Sequence, residues 1–199
     1  MSPRDQTTPM ANKEKIIIIT APSGAGKTSI THYLLKEFPQ LAFSISATTR
    51  PRRHGEQEGL DYYFVSTEDF RQKIQHNAFI EWEMVYEGKY YGTLKSEIDR
   101  IWHKGQTPVL DIDVKGAIHV QRQFPENCLS IFIEPPSIEE LRRRLQSRGT
   151  ESKESIEARV NKASYELSFK EHFDQIIVNK DLQEACGRAF GIIEKFLSL

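Results

Sequence analysis

The chain has 199 residues, 38% of them hydrophobic and 28% charged, with a formal net charge of −1. That is enough apolar material for one α/β domain with small inserts, and the near-neutral balance excludes a global electrostatic pull toward nucleic acid or an anionic membrane. Only Cys128 and Cys186 are present, so no disulfide scaffold is expected, and reduced thiols in a cytoplasmic protein are.

Residues 1–14 are polar, hold Pro3 and Pro9 and lack the apolar core of a secretion signal. A disordered extension is expected there, with Met10 as a second candidate initiator. No apolar run approaches a membrane span, and no internal repeat is visible. The run Lys15-Ile-Ile-Ile-Ile-Thr20 then leads directly into Ala21-Pro-Ser-Gly-Ala-Gly-Lys-Thr28. An unbroken apolar run ending in glycines, a lysine and a hydroxyl reads as a buried parallel strand feeding a phosphate-binding loop and a helix. Gly24 and Gly26 let backbone N–H groups turn toward phosphate oxygens, Lys27 reaches the outer phosphates, and the Thr28 hydroxyl suits a magnesium ion. Ala21 stands where the usual pattern has glycine. At this point a plain strand-to-helix turn with an exposed lysine stays open, as does the reaction, because such loops serve kinases, GTPases, motors and transporters alike.

A helix is expected over Lys27 to Phe38, with Ile30, Tyr33, Leu34 and Leu35 near one face and Pro39 after its end. Leu41 to Ser46 alternates like a strand, and Thr48-Thr-Arg-Pro-Arg-Arg-His-Gly55 is a loop rich in cations. Asp61 to Val65 reads as a short strand, Ser66-Thr-Glu-Asp69 as a helix start, and Phe79–Tyr86 with Lys89–Gly92 as a hairpin about Glu87-Gly88. These short strands interrupt the βα rhythm and read as an inserted β-rich subdomain. The rhythm resumes with a helix from about Leu94 to Lys104 and a strand, Pro108-Val-Leu-Asp-Ile-Asp113, that places two acids at the sheet edge where open α/β sheets bind ligands. A structural ion pair is the alternative for those acids.

A helix over Lys115 to Gln123 precedes the strand Cys128 to Ile133 and a capping box, Ser137-Ile-Glu-Glu140. The helix that follows ends near Arg148 and sets Arg144 and Arg148 one turn apart. Thr150 to Ser155 reads as a lid tip, and a second helix over Ser155 to Ser168 returns Arg159 toward the same region. Solvent pairing with nearby acids is the other reading of these arginines. Gln175 to Asn179 reads as the last core strand, before a helix with Ala185, Ala189, Ile192, Ile193, Phe196 and Leu197 inward. Asn179-Lys180-Asp181 is not the guanine motif of GTPases, which needs aspartate where Leu182 stands.

Together these pieces resemble guanylate kinase, from Ile16 to the C-terminus. The matching motifs are Ala21 to Thr28, Thr48-Thr-Arg-Pro-Arg-Arg53, Gly59-Leu-Asp-Tyr62, Phe79-Ile-Glu-Trp82, Tyr90-Tyr-Gly-Thr93, Asp111-Ile-Asp-Val-Lys-Gly116, Pro135-Pro-Ser137 and Arg148-Gly-Thr150. Ala21, Thr93, Val114-Lys115 and the turn from Tyr86 to Lys89 depart from the usual pattern without removing a reacting group. The resemblance implies an α/β/α P-loop fold with a parallel core sheet over 15–46, 94–137 and 168–199. It further implies a GMP-binding subdomain over 47–93 and a lid over 138–167.

The implied reaction is magnesium-dependent transfer of the ATP γ-phosphoryl group to GMP, and to dGMP. ATP would lie on Ala21, Pro22, Ser23, Gly24, Ala25, Gly26, Lys27, Thr28 and Ser29, with the metal near Thr28 and, through water, Asp111. Ser46, Arg50, Arg53, Tyr62 and Tyr91 would cradle the GMP phosphate, while Glu81, Thr93 and Asp113 read its base. Lys27, Arg50, Arg144, Arg148 and Arg159 would act in catalysis. The residue chemistry agrees, since guanidinium forks suit phosphate and acceptor-only carboxylates suit the paired N–H donors of guanine. Kinases for other acceptors such as AMP, and guanylate-kinase-like modules that bind phosphopeptides, are the competing readings. No nucleic-acid or membrane partner is expected, and the sequence leaves monomer or homo-oligomer open.

Overall fold

A computed structural model describes residues 14–147 and 152–199. The expected extension, apart from Glu14, lies outside the described residues, as do Met10, Arg148 and the expected lid tip at 150–151. Strand β1 (Ile16–Thr20) is buried along its whole length. It occupies the centre of a parallel sheet with β2 (Leu41–Phe43), β7 (Thr107–Asp111), β8 (Cys128–Glu134) and β9 (Gln175–Val178), in the order β2-β7-β1-β8-β9.

Four consecutive isoleucines suit a strand covered on both faces. Ile17 and Ile19 share a core with Ile30 and Leu34 of α1 (Lys27–Glu37) and with Ala189 and Ile193 of α7 (Leu182–Leu197). Ile16 and Ile18 share the opposite core with Ile98 of α3 (Lys95–His103) and Val120 of α4 (Val114–Gln123). Each fully buried isoleucine contributes about 1.5–3 kcal/mol, so this strand anchors three layers and fixes where the loop after it emerges.

The short strands form a second sheet, β4-β3-β6-β5, from β3 (Ala47–Thr48), β4 (Tyr63–Phe64), β5 (Phe79–Tyr86) and β6 (Lys89–Leu94). Helix α2 (Thr67–Gln75) is capped by Ser66, whose hydroxyl accepts from the Asp69 N–H, and it stacks Phe70 on Phe79 with ring centroids 4.3 Å apart. Helices α5 (Ile138–Ser147) and α6 (Lys153–Leu167) close a separate seam through Leu141, Leu145, Ile156, Val160 and Ala163.

Three boundaries differ from the sequence expectation. The segment 41–46 is not one strand: the Ser44 N–H still donates to Val109, but the Ile45 N–H turns to the Glu97 carboxylate, and a new sheet starts at Ala47. Asp61 to Val65 keeps only Tyr63–Phe64 as strand. The strand expected to run to Asp113 stops at Asp111, because Asp113 leaves the ladder to cap α4 and accepts from the N–H groups of Lys115 and Gly116. Cys128 is half-buried, whereas Cys186 joins the α7 core face.

Candidate functional site

The loop between β1 and α1 wraps the carboxyl end of the central strand. Gly24 and Gly26 adopt φ of 93° and 98°, in the left-handed region that glycine enters at no steric cost. A Cβ at Gly24 would press on Leu141 and Leu145 at 3.0 Å, and one at Gly26 would collide with the Asn179 amide. Gly26 caps α1 without a side-chain hydrogen bond, and Gly26 to Ser29 line the cleft, so the start of α1 offers its unpaired N–H groups and positive dipole end there, as an anion site requires. The buried Asn179 holds the loop from behind, its Nδ2 donating to the Ala25 carbonyl at 2.7 Å.

Opposite the loop, Asp111 ends the neighbouring strand β7, in register with Ile19. Its carboxylate accepts a hydrogen bond from the Lys27 ammonium. Thr28 and Asp111 line the same cleft. Among the described residues no three His, Cys, Asp or Glu side chains converge as a metal cage. A hydroxyl and one carboxylate beside a phosphate loop nonetheless fit a magnesium ion, which keeps most of its shell as water and phosphate oxygens.

The cleft encloses about 550 Å³, from the loop residues on one wall to Ser46, Tyr62, Glu81, Tyr91 and Asp113 on the other. Glu81 is buried and accepts from the Thr93 hydroxyl at 2.6 Å. Burial, reinforced by Asp113, pushes its carboxyl up to about 7 despite that hydrogen bond. Gly116 has no room for a Cβ because the Glu81 carboxylate lies against it. Glu83 hydrogen-bonds Asp113, and that bond together with burial raises Glu83 to about 7. Burial opposes ionisation of Asp113, but the Glu83 bond and the α4 N–H groups outweigh it and hold Asp113 below its ordinary range. The two carboxyls therefore titrate together, Glu83 raised and Asp113 lowered by their shared hydrogen bond.

The arginines are arranged differently from one another. Arg50 is buried and does not line the cleft. It forks onto Glu56 at 2.7 and 2.5 Å and lies over the Tyr62 ring at 4.9 Å. Arg53 is exposed, and its backbone N–H donates to the same Glu56. Arg144 bonds Glu140 and the Asn179 carbonyl, the latter at 3.0 Å, and Arg159 reaches across the cleft mouth to the Ser23 hydroxyl at 2.9 Å.

The structure thus gathers Ser46, Tyr62, Glu81, Tyr91, Asp113 and Arg159 with the loop, Lys27, Thr28, Ser29 and Asp111 around one space. Ala25, Arg50, Arg53, Thr93 and Arg144 are not among the residues that line it. Sequence reading missed Glu56, Glu83, Lys162, Glu166 and Asn179. Glu83 alternates with Glu81 on β5 and Glu166 lies one turn from Lys162, signals that are common on solvated surfaces.

A family model described as guanylate kinase matches residues 13–196. A guanylate kinase of Bacteroides fragilis is 48% identical over 201 aligned residues, covering 100% of this chain and 98% of that protein. One from Salinibacter ruber is 45% identical over 183, covering 92% and 97%. Among solved structures, guanylate kinase from Anaplasma phagocytophilum is 35% identical with a TM-score of 0.73, over 91% of this chain and 85% of that one.

Proposed function

The chain belongs to the guanylate kinase family of ATP:GMP phosphotransferases, and on that premise we propose that it moves the γ-phosphoryl group of ATP to GMP or dGMP, with magnesium, in purine nucleotide metabolism in the cytoplasm. The observation that supports this best is the shared cleft, with Lys27 and the helix N-terminus on one wall and Glu81 and Asp113 on the other. In this reading residues 47–93 hold the acceptor, 138–167 form the lid, and the remaining segments are the core.

The guanine N1–H and exocyclic amine donate to Glu81 and Asp113, and Thr93 orients Glu81. Adenine offers an unprotonated ring nitrogen at that place, which would leave a buried acceptor unpaired, so the site rejects AMP by roughly 10⁴-fold. Ser46, Tyr62, Tyr91, Arg50 and Arg53 hold the GMP phosphate, and Arg50 exchanges part of its Glu56 fork for phosphate oxygens.

An oxygen of that phosphate forms the new bond to the γ-phosphorus while the bond to the β,γ-bridging oxygen breaks, and ADP leaves with the electron pair. A phosphate monoester has a second pKa of about 6, so no general base is needed. Lys27, released from Asp111 onto the β,γ-phosphates, and Arg144, Arg148 and Arg159 offset charge on the transferring group. Thr28, and Asp111 through water, would hold magnesium, which supplies charge neutralisation between the phosphates. Closure over the cleft excludes water that would otherwise divert the reaction to hydrolysis. A coupled assay with ATP and magnesium tests the proposal by comparing GMP, dGMP, AMP and UMP. ADP release with GMP and dGMP alone is expected, whereas equal rates with AMP would overturn the base-reading assignment.

A further inference from the structure

Glu97 lies on α3, in the first turn after the chain returns from the four-stranded sheet, and only 2% of it is exposed. Its Oε1 accepts from the Ile45 backbone N–H at 3.1 Å, and its Oε2 from the Tyr63 hydroxyl at 2.9 Å. The Arg100 fork donates to both oxygens at 2.8 Å. A carboxylate this buried persists only when its charge and lone pairs are answered. Burial works against its ionisation, but the Arg100, Ile45 and Tyr63 donors hold it below its ordinary pKa.

What these partners touch gives the arrangement its meaning. Ile45 is the point at which the chain leaves the parallel sheet, one residue past the last ladder bond from Ser44. The next residue, Ser46, lines the cleft, and its carbonyl accepts from the Tyr63 N–H at 2.9 Å. Tyr63 in turn follows Tyr62, which also lines the cleft. One carboxylate is therefore bonded to the immediate neighbours of two acceptor-side residues, at the junction where both connections between the sheets pass.

We propose that Glu97 is a positioning residue for the phosphoryl acceptor: by holding Ile45 and Tyr63 it sets the spacing of Ser46 and Tyr62 and the stance of the small sheet over the core. This rests on the reading of the cleft as the GMP site. Glu97 itself does not line that cleft, so it acts through Ser46 and Tyr62, on the acceptor and not on ATP.

The test is steady-state kinetics of the full chain and of Glu97→Gln, Tyr63→Phe and the double variant, with GMP and ATP varied separately and thermal unfolding recorded alongside. Loss of charge-assisted hydrogen bonds at one carboxylate is expected to raise the KM for GMP roughly tenfold in Glu97→Gln and about threefold in Tyr63→Phe. The KM for ATP should stay within about twofold, and the double variant should add little to Glu97→Gln because both act through one group. A Glu97→Gln protein that melts earlier with an unchanged KM for GMP, or whose two KM values rise together, would overturn the inference. Should Glu97→Gln not fold, Tyr63→Phe decides alone, and an unchanged KM for GMP there is equally negative. A wild-type chain inactive on GMP would instead overturn the acceptor reading itself, and this inference with it.

Discussion

Glu81 faces two opposing demands. Burial favours the protonated carboxyl, raised to about 7, whereas under the proposed reading the guanine edge would need the ionised, acceptor-only form. If Glu81 reads the base as proposed, binding of GMP releases a proton when the pH lies below that value. The KM for GMP is expected to rise as pH falls from about 7.5 to 5.5, approaching tenfold per unit at the acid end. The GMP phosphate and the Glu83–Asp113 pair titrate in the same range, so the comparison is with Glu81→Gln, whose profile should lose the Glu81 limb and keep theirs while its preference for GMP over AMP falls by about 10²-fold or more. A Glu81→Gln profile superimposable on wild type would remove the assignment.

Lys27 gives the complementary prediction on the donor side. Lys27→Ala should lower kcat by roughly 10²–10³-fold, the scale for loss of one preorganised charge contact. The KM for GMP should hardly change, because the acceptor wall is built from other elements. Steady-state rates with circular dichroism as a fold control decide it.

At the scale of elements, the phosphate loop is held from two sides. Leu141 and Leu145 of α5 lie against Gly24, and Asn179, just past β9, bonds the Ala25 carbonyl and fills the space above Gly26. Arg144 of the same α5 bonds the Asn179 carbonyl, so the loop, α5 and the end of the last strand meet in one cluster. Gly26→Ala is expected to disrupt it, through about 1–2 kcal/mol of left-handed backbone strain plus the collision with Asn179. Weaker magnesium-ATP binding by more than about tenfold in calorimetry, with GMP binding retained, is the expected outcome.

The glycine spacing revealed this loop in the sequence, and the Ser66 and Ser137 caps were legible too, because each rests on contacts a few residues apart. The Glu97 junction and the Asn179 prop were not. Their partners lie 52 and 154 residues away in sequence, a separation that periodicity does not encode.

Over the whole molecule, the buried acids shape the dependence of stability on pH. Glu81 has a raised folded pKa of about 7 against an ordinary carboxyl value near 4.5. The folded state therefore holds a proton the unfolded chain has lost, and stability falls as pH rises from about 4.5 to 7, then levels. Glu83 adds in the same direction. The sign reverses for Glu56, lowered to about 2 by the Arg50 fork and the Arg53 N–H: its stabilisation is present above about 4.5 and lost as pH falls toward 2. The net shift of Glu81, from burial and Asp113 against the Thr93 hydrogen bonds, corresponds to roughly 3 kcal/mol across its window. The unfolding midpoint should therefore decline between pH 5 and 7, and more shallowly in Glu81→Gln. Equal slopes in thermal melts would show that Glu81 does not titrate as described.

By itself the sequence determined the phosphate loop, the parallel core and its helices, the hairpin and the family, because those depend on local periodicity, glycine placement and motif order. The tertiary structure decided where the chain changes sheets, that Asp113 caps a helix, that Arg50 is shared with Glu56, and which acids hold protons. Those outcomes depend on burial and on partners brought together from distant segments, and neither quantity exists until the sheets have packed.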